Sequence, residues 1–129
     1  MGERLEDWFE TPLGRYVMAF ERRYLDDALA DIFGFHALQL GLPQYDLMRA
    51  NRIPHKFRIA PDAIPGEESR IAARAVFTAL PIDSQSIDLV LLPHVLEFSD
   101  SPHRILREVD RVMIPEGRVV VLGFNPWSL

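Results

Sequence analysis

Ile87-Asp88-Leu89-Val90-Leu91-Leu92 is the most strongly patterned stretch of the chain, apolar at every position but Asp88. Consecutive apolar residues fit a parallel strand buried on both faces. Thr11-Pro12 predicts a helix start, with Thr11 as cap and Pro12 at the first helical position. Leu13, Val17, Phe20, Tyr24, Ala28 and Ile32 follow at steps of three or four, which is one helical face, and Gly34 suits the helix end. Such a helix would cover one face of a sheet. Phe35 to Leu40 reads as the first strand, broken by Gly41-Leu42-Pro43. A short helix around Tyr45 to Ala50, a strand over Lys56 to Ala60, a loop over 61–70 and a short third strand over Ala73 to Phe77 follow. Ser101-Pro102 repeats the cap signal and opens a helix to about Met113, with Ile105, Leu106, Val109 and Val112 inward. Pro115-Glu116-Gly117 is read as a turn and Arg118 to Gly123 as the last strand.

Strands alternating with helices argue for a parallel α/β sheet. Sheets of this kind bind ligands outside the carboxyl ends of their strands, where the strand order reverses. The positions to watch therefore follow the strands: Gly41-Leu42, Ala60 to Asp62, Phe77-Thr78, Pro93-His94 and Phe124-Asn125. The expected domain is single, with a helical segment over 1–34 and an α/β core over 35–129.

Composition narrows the chemistry. The 129 residues are 48% hydrophobic and 26% charged, ordinary for a soluble globular domain. The net charge of −5 lacks the electrostatic footprint of a nucleic-acid binder. With no cysteine, disulfides, thiolate metal sites and thiol nucleophiles are excluded. No apolar run reaches membrane-spanning length and no signal peptide is evident in Met1 to Glu10, so a cytoplasmic protein is expected. His36, His55, His94 and His103 lack metal-ligand spacing, so no metal is expected. No Gly-x-Ser-x-Gly elbow and no Gly-x-x-x-x-Gly-Lys loop is present.

His94 stands two residues past the strongest strand, facing the expected cleft. It is the one candidate for a catalytic base or substrate contact; the competing reading is a polar strand-end residue bonded to backbone. Glu97 either pairs with His94 or sits in the first turn of a short helix. Asp88 opens its strand at the end away from the cleft, which favours a structural role. Arg107, Glu108 and Arg111 read as a solvated helix face with local ion pairs.

Five segments together carry a family resemblance: Leu80-Pro81-Ile82, Ile87-Asp88-Leu89-Val90, His94-Val95-Leu96-Glu97, Arg107-Glu108-Val109-Asp110-Arg111-Val112 and Pro115-Glu116-Gly117. In order and spacing this stretch resembles the class I S-adenosylmethionine-dependent methyltransferases, of the small-molecule branch known as methyltransferase type 11. The resemblance implies a Rossmann-like, mostly parallel sheet, about five strands of the family's seven, with the closing antiparallel pair expected to be missing. It also implies S-adenosylmethionine as cofactor and a small-molecule methyl acceptor. Gly41 is what remains of the family's Gly-x-Gly-x-Gly loop, and Leu42 and Pro43 stand where open backbone is expected. Asp62 is the nearest candidate for the acidic residue that holds the ribose, and Val76 takes the place of the Asp that meets the adenine amino group. By the resemblance, Gly41, Leu42, Asp62, Phe77, Pro93 and His94 are the cofactor-binding candidates. The helix between strands two and three is expected to be missing or reduced. Leu92-Pro93-His94-Val95 departs from the Asn/Asp-Pro-Pro-Tyr tetrad of amino-methylating enzymes, which with the negative charge argues against nucleic acid as substrate.

Two readings follow. One is an enzyme methylating a small molecule. The other is a methyltransferase-like interaction or regulatory domain that has lost its cofactor, perturbed at the glycine loop and at Val76. A Rossmann domain for another nucleotide is a remoter third. A last strand without a neighbour would be an open valine-rich edge, inviting a homodimer, with Trp127 close by.

Overall fold

A computed structural model describes residues 5–62 and 71–124. Its centre is β4 (Ile87–Pro93), in which every residue but Asp88 is buried. β1 (His36–Leu40) lies beside it in parallel, with Leu38 opposite Val90. β2 (His55–Ala60) pairs with the far side of β1, and β3 (Ala73–Arg74) with β2. β5 (Met113–Leu122) flanks β4. The order is β3-β2-β1-β4-β5 and every pairing is parallel. The sheet is the five-stranded Rossmann-like array expected, and its order reverses between β1 and β4.

Side chains alternate across the pleat and so divide the core in two. Ala37, Leu89 and Leu91 face Met18, Leu25 and Leu29 on one side. Leu38, Leu40, Val90 and Leu92 face Ile105, Val109 and Val112 on the other. The first layer is supplied by α2 (Pro12–Ala28) and its exit, the second by α3 (Pro102–Val112). A short helix, α1 (Leu5–Trp8), precedes them.

Several local expectations are corrected. α2 is capped by the Thr11 side chain, which accepts from the Gly14 N–H at 3.1 Å, as predicted. It ends at Ala28, however, not near Gly34. The buried Asn51 amide accounts for this, since it donates to the Leu29 and Ile32 carbonyls at 2.6 and 2.9 Å and takes up the backbone at the helix exit. Gly34 serves Asp88 instead. A Cβ there would lie 2.3 Å from Asp88 Cγ, and Asp88 Oδ2 accepts from the Phe35 and His36 N–H groups at 2.9 and 3.0 Å. Asp88 thus pins the start of β1 to β4, the structural role expected of it.

Most of the predicted face of α2 is turned outward, although Val17 packs against the core. Leu13, Phe20 and Tyr24 are exposed, and the buried stripe is Gly14, Met18 and Leu25. Residues 45–50 form turns, not a helix, and the third strand is only Ala73–Arg74. Pro115-Glu116-Gly117 lies within β5; Met113 pairs with Ile87 but Arg118 with Leu89, so the residues between them bulge from the ladder. Ser101 makes no side-chain cap. Glu108 and Arg111 do more than solvate a face, because Glu108 accepts from the Leu80 N–H and Arg111 donates to the Leu80 carbonyl, each at 3.1 Å. The expected reduction of the helix between strands two and three falls largely on 63–70, outside the described residues, as does Trp127.

Candidate functional site

A cavity of about 360 Å³ opens at the carboxyl ends of β1, β2 and β4, at the strand-order reversal. Its floor is Gly41-Leu42 after β1 and Pro93-His94-Val95 at the end of β4. Val76, Phe77 and Thr78 form one wall, and Leu5 and Glu6 of α1 close over it.

The backbone after β1 turns sharply, with Gly41 at φ +97° and Leu42 at φ +46°. The first value suits only glycine, and a Cβ on Gly41 would point at Val95 and Phe77, 3.5 and 3.8 Å away, both cavity residues. A Cβ there would reach ordinary contact with the cavity wall, so it is the backbone conformation that calls for glycine. Leu42 tolerates its strained conformation because the turn is held from below. Gln39, wholly buried in β1, donates through Nε2 to the carbonyls of Gly41, Leu42 and Tyr45 at 2.9, 3.0 and 3.1 Å. Its Oε1 accepts from the Leu47 N–H at 3.3 Å. A side-chain amide does here the shaping that further glycines do elsewhere. The signal was a lone polar residue inside an apolar strand, and sequence reasoning passed over it.

At the end of β4, His94 is 1% exposed and adopts φ +56°. Its Nε2 lies 2.6 Å from Glu21 Oε2 of α2, and its Nδ1 2.9 Å from Glu97 Oε2. Glu97 belongs to a short 3₁₀ turn, Leu96–Phe98, so it meets both expectations at once. Burial alone would lower the His94 pKa, but the hydrogen bonds to Glu21 and Glu97 outweigh it and hold the imidazole above its ordinary value. The ring thus bridges two carboxylates, with both nitrogens engaged. Phe124 stacks on the ring at 4.1 Å, and its N–H donates to Glu97 Oε2 at 3.0 Å. One cluster therefore joins α2, the exit of β4 and the exit of β5.

Of the predicted site residues, Gly41, Leu42, Phe77, Pro93 and His94 meet at the cavity, and so does Val76. Asp62 does not line it; its carboxylate is exposed and lies 3.8 Å from the Arg74 guanidinium. Glu6 and Phe98 were not anticipated, because only the folded chain brings α1 and the 3₁₀ turn to this corner; Phe124, one of the positions expected after a strand, stacks on His94 beside it. Among the described residues no cluster of three or more His, Asp or Glu could hold a metal, and no helix is long and apolar enough to cross a membrane.

A family model described as "Methyltransferase domain" matches residues 38–121. YafS of Escherichia coli K12, an uncharacterized protein, is 32% identical over 122 residues, spanning 94% of this chain and 49% of its own length. Rv2003c of Mycobacterium tuberculosis H37Rv, also uncharacterized, is 30% identical over 129 residues, spanning 94% of this chain and 44% of its own. The chain spans about half the length of the curated relatives it matches. Among solved structures, a SAM dependent methyltransferase from Aquifex aeolicus superposes with a TM-score of 0.67 at 12% identity, covering 96% of this chain and 74% of that one. The [4+2]-cyclase SpnF superposes at 0.59 with 21% identity, over 76% of this chain and 43% of that one. The parallel sheet, the cavity at its switch point and the matched family model agree: the chain belongs to the class I S-adenosylmethionine-dependent methyltransferases.

Proposed function

We propose that the switch-point cavity binds S-adenosylmethionine and that the domain serves methyl transfer to a small molecule. The observation that carries this is Gly41: at φ +97° its missing Cβ leaves open the cavity floor between Val95 and Phe77. The volume of about 360 Å³ falls within the range of small-ligand sites. Gly41 and Leu42 would present backbone to the ligand, Phe77 and Val76 would flank its flat end, and Pro93 and the His94 backbone would border the reacting end. Once bound, the cofactor supplies a methyl group already activated on a sulfonium. The protein's task is then alignment, so a site without a free base is no obstacle. Asp62 would have to swing in from solvent to reach a ribose and is left out of the contact set. The net charge of −5 supports a small molecule over nucleic acid as acceptor.

Titration with S-adenosylhomocysteine by calorimetry tests the reading. A micromolar dissociation constant is expected, with binding abolished in a folded Gly41→Trp variant. No heat at millimolar ligand would overturn it and leave the interaction-domain reading.

Self-association supports itself on a separate observation. Among the described residues β5 is paired on one side only, and its Val119 and Val121 are exposed.

A further inference from the structure

Beside the cofactor cavity lies a second hollow of about 610 Å³, lined by Leu5, Trp8, Leu13, Val17, Phe98 and Phe124. All six are apolar. Leu5 and Phe98 line both spaces, so the hollow opens beside Pro93-His94-Val95 and not at a remote surface. Leu13 and Phe98 are 63% and 62% exposed, a large apolar area for a domain to leave in water. The walls are nonetheless fixed. Phe124 is stacked on the buried His94 ring, bonded through its N–H to Glu97, and met edge-on by Trp8 with ring centroids 5.7 Å apart. Phe98 meets Phe124 edge-on at 6.4 Å. Among the described residues no Lys or Arg lines either space, while Glu6 lines the first and Glu97 holds Phe124 of the second.

We propose that this pouch seats the methyl acceptor, and that the acceptor is a neutral, apolar, ring-sized molecule whose nucleophilic atom points past Leu5 and Phe98 towards the end of β4. The proposal rests on the reading that the adjoining cavity holds the cofactor. An apolar pouch without a cation binds by desolvation and would not compensate an anionic group, which the neighbouring carboxylates would repel. Methyl transfer breaks the carbon–sulfur bond, leaving its electron pair on sulfur. The new bond takes a lone pair of the acceptor, whose proton departs to water.

The test uses the whole chain and the uncharged fluorescent probe N-phenyl-1-naphthylamine. Saturable binding is expected, shifted when the protein is first loaded with S-adenosylhomocysteine, and weaker for the anionic probe 8-anilino-1-naphthalenesulfonate. Leu13→Glu, at an exposed position outside the cofactor cavity, should weaken the neutral probe by roughly tenfold or more, with the calorimetric affinity for S-adenosylhomocysteine unchanged. Absence of saturable binding, or binding indifferent to Leu13→Glu, overturns the pouch. So does probe binding that falls with rising protein concentration as light scattering reports a dimer, because a second copy then fills the space. A pouch that binds the probe in a protein giving no heat with S-adenosylhomocysteine overturns the acceptor role through the cofactor reading alone.

Discussion

His94 Nε2 stands 2.6 Å from Glu21 Oε2, so the exit of β4 is tied to the middle of α2 by a buried imidazole–carboxylate contact. The pKa of His94 is raised on folding, so the native state binds the proton more tightly than the unfolded chain does. The stability this contributes is fully present below the ordinary histidine value of about 6.5 and is lost as pH rises through the higher folded value. Urea denaturation from pH 6 upward should show this loss. His94→Gln should remove that pH dependence and destabilise the fold by about 3 kcal/mol, since it strands two carboxylates near a buried site. A variant that keeps the wild-type pH profile would show that His94 is not the titrating group.

Gln39→Leu should be costly out of proportion to its conservative shape. It removes the amide that bonds three carbonyls and the Leu47 N–H, and of those carbonyls Leu42 keeps the Tyr45 N–H at 3.1 Å. A loss of about 3 kcal/mol is expected in urea denaturation. Affinity for S-adenosylhomocysteine should fall as well, because the Gly41-Leu42 turn loses its support. Unchanged affinity in a destabilised protein would mean that the turn holds its shape without Gln39.

Val76→Asp should improve cofactor binding. Val76 is exposed on the cavity wall and stands where the family resemblance expects a carboxylate to accept from the adenine amino group. A gain of about 1 kcal/mol in S-adenosylhomocysteine affinity is expected by calorimetry. No gain would place the adenine away from this wall.

The pairing of β5 on one side only among the described residues predicts a concentration-dependent dimer in light scattering. Val121→Lys should shift it to monomer, as lysine does on natural sheet edges. A wild-type protein that stays monomeric at high concentration would refute the edge proposal.

What could be read from the sequence depended on whether burial was local or mutual. β4 was legible because two-sided burial demands an unbroken apolar run, and Ile87 to Leu92 supplies it. Asp88 was legible as structural from its place at the strand's start. α2 was legible as a helix but not in its orientation. Its apolar residues form two stripes, and the partly buried Glu21 lies alongside the buried one, although its charge alone assigns it to solvent. Only the partnership with His94, 73 positions away, allows that carboxylate inside. The cavity floor could be located after β1 and β4, whereas the pouch could not, since α1, the 3₁₀ turn and Phe124 meet only in the folded chain.

The bond from Asp88 to the His36 N–H spans 52 positions, and no hairpin in the sheet offers a shorter way to begin. The β1–β4 pairing must wait for loop closure over such a distance, which slows folding relative to helical domains of similar size. On the ribosome, β1 would remain without its central neighbour until β4 emerges. Through that interval an apolar strand stands exposed, and refolding yield should be more sensitive to protein concentration than native stability is.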